Sequence, residues 1–545
     1  MASLAAGPLS AQSNPAATIF VGHFITLDSV NPVAEAIAVR DGRIVAIGSR
    51  RSIDSSAGRG SYRTVLPGAV LPGFTDAHVH APALGDYLAS IPLGGASKAT
   101  ILARVKAAST RLRPGQWIVG AGWDQSFWDP PDFPTAKELD RVSGGHPVML
   151  DRIDGHAIWV NSAALARADV TVGPANPPGG EIIRDPNGRA LGVFIDDAMD
   201  LIRRVVPRPS MAERVRRRQS ALAQYAKWGV TSIHDAGLEL PDIESYRILG
   251  QRGPLPVRVY AMAAAADSTL DAVLRQGPVI DQYDGTFTLR TVKIVDDGAL
   301  GSRGARLGTP YQDDPSRQGF DLVPHGRLDS LIARSLTRGF QVAVHAIGDA
   351  SVHDVLDAFE RAGVTGRRSR FRLEHASMIQ DTDLPRLGEL GVIASMQPVF
   401  VGEYSRFAQA RLGMDRLRWV YRTREVSESG AVLAAGTDFP ASDTGDPIAT
   451  LASMVTRQGY DGQPVNGWFP EQKVSVDVAL RSMTVGAAFA AFQEGDRGTL
   501  RVGQRADLTV LSGNPYTTPP DQLRSLVVLE TIVGGKITYR RPIRK

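Results

Sequence analysis

The middle of the chain alternates short apolar segments with amphipathic helical stretches, and this alternation constrains the fold more than any other feature. Two of the predicted helices are Met211–Trp228 and Ala350–Ala362. Eight segments are predicted strands: Val70–His80, Thr231–Ala236, Val257–Ala263, Leu289–Asp296, Gln341–His345, Phe371–His375, Val392–Gln397 and Val432–Asp438. Because strands that alternate with helices form parallel sheets, the pattern predicts an α/β protein with a (β/α)8 TIM barrel over residues 70–496.

Both ends of the 545-residue chain carry β-type patterns instead. Residues 18–69 hold two β-rich runs with a turn at Asp41-Gly42, and residues 497–545 repeat the pattern with a hairpin turn at Gly534-Gly535. Short hairpins are not stable by themselves. We therefore expect the N- and C-terminal segments to pair with each other as a composite β-sandwich.

The gap between His80 and Thr231 is too long for one helical crossover, so we expect an insertion after the first barrel strand, at about residues 105–205. It is rich in Pro, Gly and Trp, and we expect it to cover one face of the barrel. Its aromatic residues include Trp117, Trp123, Phe127, Trp128 and Trp159. Such clusters are usually core, but Trp123 and Trp128 are also candidates for an apolar wall that binds substrate.

Composition excludes several classes of protein. Cysteine is absent, which removes disulfide scaffolds, thiolate nucleophiles and cysteine-based metal sites. The formal net charge is +4 without a dense basic run, so we expect no nucleic-acid partner. No apolar run approaches the roughly 18 residues of a membrane span. The N-terminus lacks the basic start of a secretory signal, which favours a cytoplasmic protein; a periplasmic or secreted protein is the alternative if residues 1–17 are a signal remnant.

Side chains that can bind a metal stand on or at the ends of five predicted strands. They are His78, His80, Lys293, His345, His375 and Asp438. The carboxyl ends of barrel strands meet at one mouth, where active sites are built, and strand alternation places the two histidines of the HVH motif on one side. An isolated His-x-His is more often core filling than a ligand pair. The whole ordered set, however, is typical of a zinc-type site with nitrogen and oxygen ligands.

The motifs around these residues resemble those of the amidohydrolase superfamily. In chain order they are PGFTDAHVH, VKIVDDGALGSRGA, HAIGD, LEHAS and AAGTDFP, followed by GDRGTLRVGQRADLTVL. Within the superfamily the chain is similar to the YtcJ-like amidohydrolases, which include N-substituted formamide deformylases, and the likeness runs from about residue 18 to residue 540. It implies a metal-bearing (β/α)8 barrel with a composite β-sandwich.

The resemblance also implies a divalent metal centre, expected to hold two Zn²⁺ ions. The two histidines of HVH would bind one ion together with Asp438, and His345 and His375 would bind the second. Lys293, carbamylated by CO2, would bridge the ions, because a carbamate offers two anionic oxygens. An unmodified Lys293 with a single ion is the alternative. Asp438 would also be the catalytic base.

The expected function is hydrolysis of a non-peptide amide C–N bond by metal-activated water, in an N-acyl or N-formyl compound with an apolar or aromatic group. An ester, carbamate or cyclic amide substrate, a deamination, and a barrel that binds without catalysis are the alternatives. The expected partner is a small-molecule substrate, and a homodimer is left open.

Four further residues are candidates for roles around the metal. Asp76 is expected to support the ligands without binding the ion. His156 in the insertion, His234 at the end of the second predicted strand and Arg303 after the lysine strand are candidate substrate-binding residues, with a structural role as the alternative for each.

Overall fold

The computed structural model describes residues 17–56, 60–125, 128–152, 155, 157–170, 175–177, 180–363 and 370–542. The chain separates into two compact units. The larger unit takes in Met1–Ala81 and Leu222–Lys545, and the smaller unit is Pro82–Ala221. Across the described ranges, no helix has both the length and the apolar character that a membrane span needs.

Strands from both ends of the chain form one seven-stranded sheet in the larger unit. In spatial order they are Lys536–Arg540, Val528–Val533, Leu508–Leu511, Tyr62–Pro72, Thr18–Ile25, Val33–Arg40 and Arg43–Gly48. The predicted turns are present, and all four of their residues have positive φ. The prediction that the two ends share β structure is therefore confirmed, while the two-layer sandwich stays a prediction.

The terminal sheet has its own apolar core and is joined to the barrel by a buried ion pair. The core includes Phe20, Phe24 and Leu508. Arg258, on the third barrel strand, donates from Nε and Nη2 to the two carboxylate oxygens of Asp507 at 2.7 and 2.9 Å. Both side chains of this pair are buried.

Eight parallel strands form a nearly closed barrel, which confirms the predicted barrel architecture. In order they are Phe74–Val79, Val230–Leu238, Arg258–Ala264, Phe287–Val295, Gln341–Ala346, Arg372–His375, Ile393–Met396 and Val432–Ala435. A short strand, Val279–Asp281, pairs antiparallel with the fourth. Beyond the end of the eighth strand, Asp438 N donates to His78 O at 2.7 Å and His80 N donates to Phe439 O at 3.2 Å. These bonds join the eighth strand's extension to the first strand at the barrel mouth.

Helices connect and cover the barrel strands of the larger unit. The helix Met211–Lys227 contains the boundary between the two units. The other helices of six residues or more after it are Leu240–Gly250, Asp267–Gln276, His325–Thr337, Asp349–Arg361, Leu384–Glu389, Phe400–Leu412, Thr423–Glu428, Pro447–Thr456 and Val476–Arg481. A further helix, Arg50–Ser56, follows the third strand of the chain. The two helices predicted from sequence thus lie within one residue of their expected bounds.

The first predicted strand, Val70–His80, is two strands and not one. Residues up to Pro72 belong to the terminal sheet, where Pro72 pairs with Leu508, and the barrel strand begins at Phe74. The division falls at Gly73, where a Cβ atom would lie 2.1 Å from Thr231 Oγ1. Only glycine fits this close approach between the two neighbouring chain segments.

The smaller unit contains a six-stranded sheet. Its spatial order is Gly180–Arg184, Ala190–Asp196, Ala157–Val160, Val148–Arg152, Ile118–Trp123 and Ile91–Pro92. Its helices are Ala81–Ala89, Lys98–Ser109, Ala136–Asp140, Ser162–Ala168 and Asp200–Arg203. A large apolar cluster packs within this unit.

Three indoles lie at the centre of that cluster. Trp123 is fully buried, and its ring centroid lies 6.0 Å from that of Trp128 and 6.3 Å from that of Trp159. Each indole N–H donates to a backbone carbonyl; the Trp123 bond, to Leu150 O, is 2.8 Å long. These positions favour a core role for Trp123 and Trp128. Trp123 has no exposed surface with which it could form the predicted substrate wall.

Candidate metal centre

His78, on the first barrel strand, and His80, just beyond its end, both turn Nε2 toward Asp438. His78 is fully buried, and its Nδ1 lies 2.5 Å from the Glu374 carboxylate. His80 is partly exposed, and its Nδ1 lies 3.0 Å from the carbonyl oxygen of Ala236. Because both partners accept hydrogen bonds, each histidine carries a proton on Nδ1. Nε2 is then the nitrogen near Asp438 Oδ1, at 3.5 Å for His78 and 3.0 Å for His80.

His375, the last residue of the sixth barrel strand, and Asp438, three residues beyond the eighth, have an unusual backbone conformation. His375 has φ of 70° and Asp438 has φ of 61°, values that non-glycine residues rarely adopt and that cluster at functional sites. His375 Nδ1 lies 4.0 Å from Asp438 Oδ2. Ligand atoms of His78, His375 and Asp438 all lie within 4.8 Å of one another, close enough to share one metal ion.

Asp76 holds the strand that carries the histidines against the loop that carries Asp438. Its Oδ1 accepts hydrogen bonds from the backbone N–H groups of Thr437 at 2.8 Å and His78 at 3.3 Å, and its Oδ2 accepts one from Thr437 Oγ1 at 2.7 Å. Burial raises the pKa of Asp76 to about 7, although these bonds oppose the rise. The carboxylate therefore supports the ligands through the backbone, as expected from sequence.

The remaining candidate ligands are Lys293, on the fourth barrel strand, and His345, on the fifth. The ring centroid of His345 lies 4.3 Å from that of His375, and its Nε2 lies 3.4 Å from Asp297 Oδ1. Lys293 is buried and in register with Ala343, two residues before His345. Burial lowers the pKa of Lys293, which favours the neutral amine.

The electrostatics of the site favour an ionised Asp438 and neutral imidazoles at His78, His345 and His375. Burial would raise the pKa of Asp438, but the neighbouring histidines lower it well below its usual range. Burial lowers the pKa of His375 to about 3, and it also lowers those of His78 and His345. For His80, Asp438 outweighs burial and raises the pKa. Deprotonated side chains are the forms that bind metals.

The donor set fits a divalent cation. The Nε2 atom of His78 is buried, and it has no hydrogen-bond partner among the residues that the structure describes. Because His78 Nδ1 carries the proton and donates it to Glu374, Nε2 presents a lone pair that only a donor or a cation could satisfy.

The predicted substrate residues lie outside this cluster where the structure describes them. His234 is fully buried, and its Nδ1 accepts a hydrogen bond from Arg372 Nη1 at 2.9 Å. Arg303 forms a two-point ion pair with Asp313, at 3.1 and 2.9 Å. Both positions favour the structural alternative, and substrate contact by either residue stays a prediction. His156 lies outside the described residues.

Sequence reasoning missed two charged residues on the sixth barrel strand. Arg372 and Glu374 are both fully buried, and Arg372 Nε donates to Glu374 Oε1 at 2.6 Å. A signal was present in the sequence, since charged residues at alternate positions of a strand share one face. On a strand that is buried on both sides they must pair with each other or with the site.

The chain is similar to known proteins in both sequence and structure. The sequence profile of the amidohydrolase family matches residues 68–539. YtcJ of Bacillus subtilis is 32% identical over 535 residues, covering 96% of this chain and 99% of that protein. N-substituted formamide deformylase of Arthrobacter pascens is 26% identical, covering 95% of this chain and 97% of that protein. The crystal structure of an uncharacterized metal-dependent hydrolase from Pyrococcus horikoshii has a TM-score of 0.77 at 27% identity, covering 93% of this chain and 99% of that one.

Proposed function

Because this chain belongs to the amidohydrolase family, and is thus a metal-dependent hydrolase of carbon–nitrogen bonds other than peptide bonds, we propose that it cleaves the amide bond of an N-acyl or N-formyl compound. The compound would carry an apolar or aromatic group. The convergence of His78, His80 and Asp438 at the barrel mouth carries the proposal. The relative named for N-substituted formamides supports the substrate class.

The metal would be held by the residues that meet at the mouth. His78 and His80 offer Nε2, Asp438 offers a carboxylate, and His345 and His375 offer imidazoles beside them. A divalent metal bound there lowers the pKa of water and polarises a carbonyl group. Zinc as the metal, a pair of ions, a homodimer and a cytoplasmic location are parts of the proposal that need their own measurements.

Asp438 is the residue placed to move the proton. Against the effect of burial, the neighbouring histidines lower its pKa, which favours the ionised carboxylate, and its Oδ1 lies 3.0 Å from His80 Nε2 and 3.5 Å from His78 Nε2. Its backbone is held by the bond from its N–H to His78 O. We assign it the transfer of a proton from the attacking water to the leaving nitrogen, which is worth about 10²- to 10⁴-fold in rate.

Lys293 is the proposed bridging residue, in carbamylated form. Its low pKa supplies the neutral amine that reacts with CO2, and the carbamate then offers two oxygens. We expect Lys293→Ala to lose metal together with activity, and added short carboxylic acids to restore part of both. Mass analysis of the metal-loaded protein that showed an unmodified Lys293 would refute the bridge and leave a mononuclear site.

The test of the function combines product analysis with one variant. Purified protein loaded with zinc is given a panel of N-formyl and N-acyl amines with matched esters and amino-heterocycles. We expect a carboxylate and an amine as products, and we expect Asp438→Asn to lower kcat by at least about 10²-fold with its fold and metal content retained. Asp443→Asn, the same change at an exposed position of the same loop, is the control and should keep full activity.

Other results of the product analysis and of the variant would each point to a different function or a different proton carrier. Release of ammonia would identify a deaminase, and turnover of the esters alone would identify an esterase. Near-native kcat in Asp438→Asn would show that another group moves the proton. No turnover of any compound by the metal-loaded protein would favour a barrel that binds without catalysis.

A further inference from the structure

A buried chain of contacts links two charged residues outside the candidate ligand set to one of the candidate ligands. It runs from Arg372 to Glu374 and from Glu374 to His78, with distances of 2.6 and 2.5 Å. All three side chains have no exposed surface. Buried charges need partners, and here Glu374 is paired with Arg372 on one oxygen and contacts His78 with the other.

We propose that Glu374 is a positioning residue for the metal centre: its carboxylate holds the proton of His78 on Nδ1, so that the Nε2 lone pair faces the metal. The inference rests on the proposed function, since it concerns the same metal. Arg372 is the second part of the device, because it holds Glu374 in place through the other carboxylate oxygen. Partners of this kind orient metal-binding histidines and raise their basicity.

The direction of the Glu374–His78 hydrogen bond follows from Arg372. A guanidinium only donates, so the Glu374 oxygen that it contacts must accept. Its positive charge, 2.6 Å from Glu374 Oε1, favours the ionised carboxylate. An ionised carboxylate cannot donate to His78, so the proton between them lies on Nδ1.

Arg372 is itself fixed by the barrel. Its Nη2 donates to the carbonyl oxygen of Ala77 at 2.7 Å and to Ser395 Oγ at 3.1 Å, and its Nη1 donates to His234 Nδ1 at 2.9 Å. These partners lie on the first, seventh and second strands. Ala77 directly precedes His78, so one side chain ties the backbone of the ligand strand and the partner of the ligand ring together.

Glutamine in place of Glu374 cannot serve both neighbours. Two donors, Arg372 Nε–H and His78 Nδ1–H, meet the two oxygens of the carboxylate. A glutamine amide has one oxygen and one NH2 group, so one donor would face another donor. Either Arg372 loses its partner or His78 moves its proton to Nε2, and the second outcome removes the lone pair from the metal.

The experiment compares the zinc affinity of the full-length protein with the affinities of two variants. Wild type, Glu374→Gln and Glu425→Gln are stripped of metal, and a chromophoric chelator then competes for added Zn²⁺. Glu425 is the control, because it also accepts hydrogen bonds from an arginine, Arg422, and among the described residues it bonds to no histidine. We expect affinity to fall about 10- to 100-fold in Glu374→Gln and to stay unchanged in Glu425→Gln.

A second measurement separates positioning from general loss of structure. In metal-free wild type, the Nδ1 proton shared with a carboxylate should give a strongly downfield ¹H resonance. We expect it to be absent from Glu374→Gln and present in Glu425→Gln. Should Glu374→Gln not fold, Glu374→Asp keeps both acceptor oxygens, and we expect it to retain the resonance with an intermediate zinc affinity.

Two outcomes would overturn the inference. If wild type binds zinc and hydrolyses an amide while folded Glu374→Gln binds zinc within about twofold of it, Glu374 has no positioning role and the proposed function stands. If wild type binds no zinc, nickel, cobalt or manganese, the inference and the proposed function both fail.

Discussion

Trp123 gives the sharpest test of how the smaller unit is built. Its side chain is fully buried between Trp128 and Trp159, and its indole N–H donates to Leu150 O at 2.8 Å. If this residue is core, Trp123→Ala should destabilise the unit Pro82–Ala221. If it is a substrate wall, the same change should alter substrate binding and leave stability intact.

The magnitude follows from what the indole contacts. Truncation of a buried Trp to Ala costs about 3–5 kcal/mol, because burial is lost and a cavity is left. The carbonyl of Leu150 also loses its donor, which is worth roughly 1 kcal/mol. A domain is stable by about 5–15 kcal/mol, so the variant should lose a large part of the unit's stability. Trp123→Phe keeps an aromatic ring and loses the N–H, and it should cost roughly 1–2 kcal/mol.

Hydrogen exchange measured by mass spectrometry is the assay, because it resolves the two units in the intact chain. We expect faster exchange in Ile118–Trp123 and Val148–Arg152 of Trp123→Ala, with the barrel strands unchanged. For small and bulky amides alike, kcat/KM should fall by the same factor. Unchanged exchange together with a higher KM for bulky amides alone would refute the core assignment and restore the substrate wall.

Two further predictions concern the larger unit. Arg258→Met leaves the buried Asp507 carboxylate without its guanidinium, so we expect a loss of about 3–5 kcal/mol in urea unfolding, and a loss below about 1 kcal/mol would contradict a stabilising ion pair. For Glu403, burial and then Asp443 raise the pKa from 4.5 to about 8, so its contribution is fully present below pH 4.5 and is lost as the pH rises through 8. The stability of wild type relative to Glu403→Gln should therefore fall over that pH range, and a constant difference would contradict the shift.

The barrel and the proximity of the candidate metal ligands His78, His375 and Asp438 were accessible from sequence because both leave local signals. Each barrel strand is a short apolar run, and ligands such as His78 and Asp438 stand where the run ends. The division at Gly73 was not accessible, because Val70–Pro72 and Phe74–Val79 have the same apolar pattern. What separates them is the partner of each segment, which lies hundreds of residues away for Pro72.

The role of Glu374 could not be obtained from sequence for a related reason. Its neighbour in the chain is His375, yet its hydrogen bond goes to His78, which is 296 positions away. Alternation on the strand shows only that Arg372 and Glu374 share a face. Which ligand they meet depends on the order of strands around the barrel and on how the eighth strand joins the first.

The ligand geometry is held by the chain's own hydrogen bonds, and this explains why strained residues persist there. Backbone at positive φ costs about 1–3 kcal/mol for a non-glycine residue, and both His375 and Asp438 adopt it. Asp438 is kept in this conformation by its bond to His78 O and by the grip of Asp76 on Thr437. His78 is in turn held by Glu374, so these two candidate ligands are each fixed by a contact to another strand of the barrel. The strain at Asp438 is thus offset by hydrogen bonds that tie this segment to the first barrel strand.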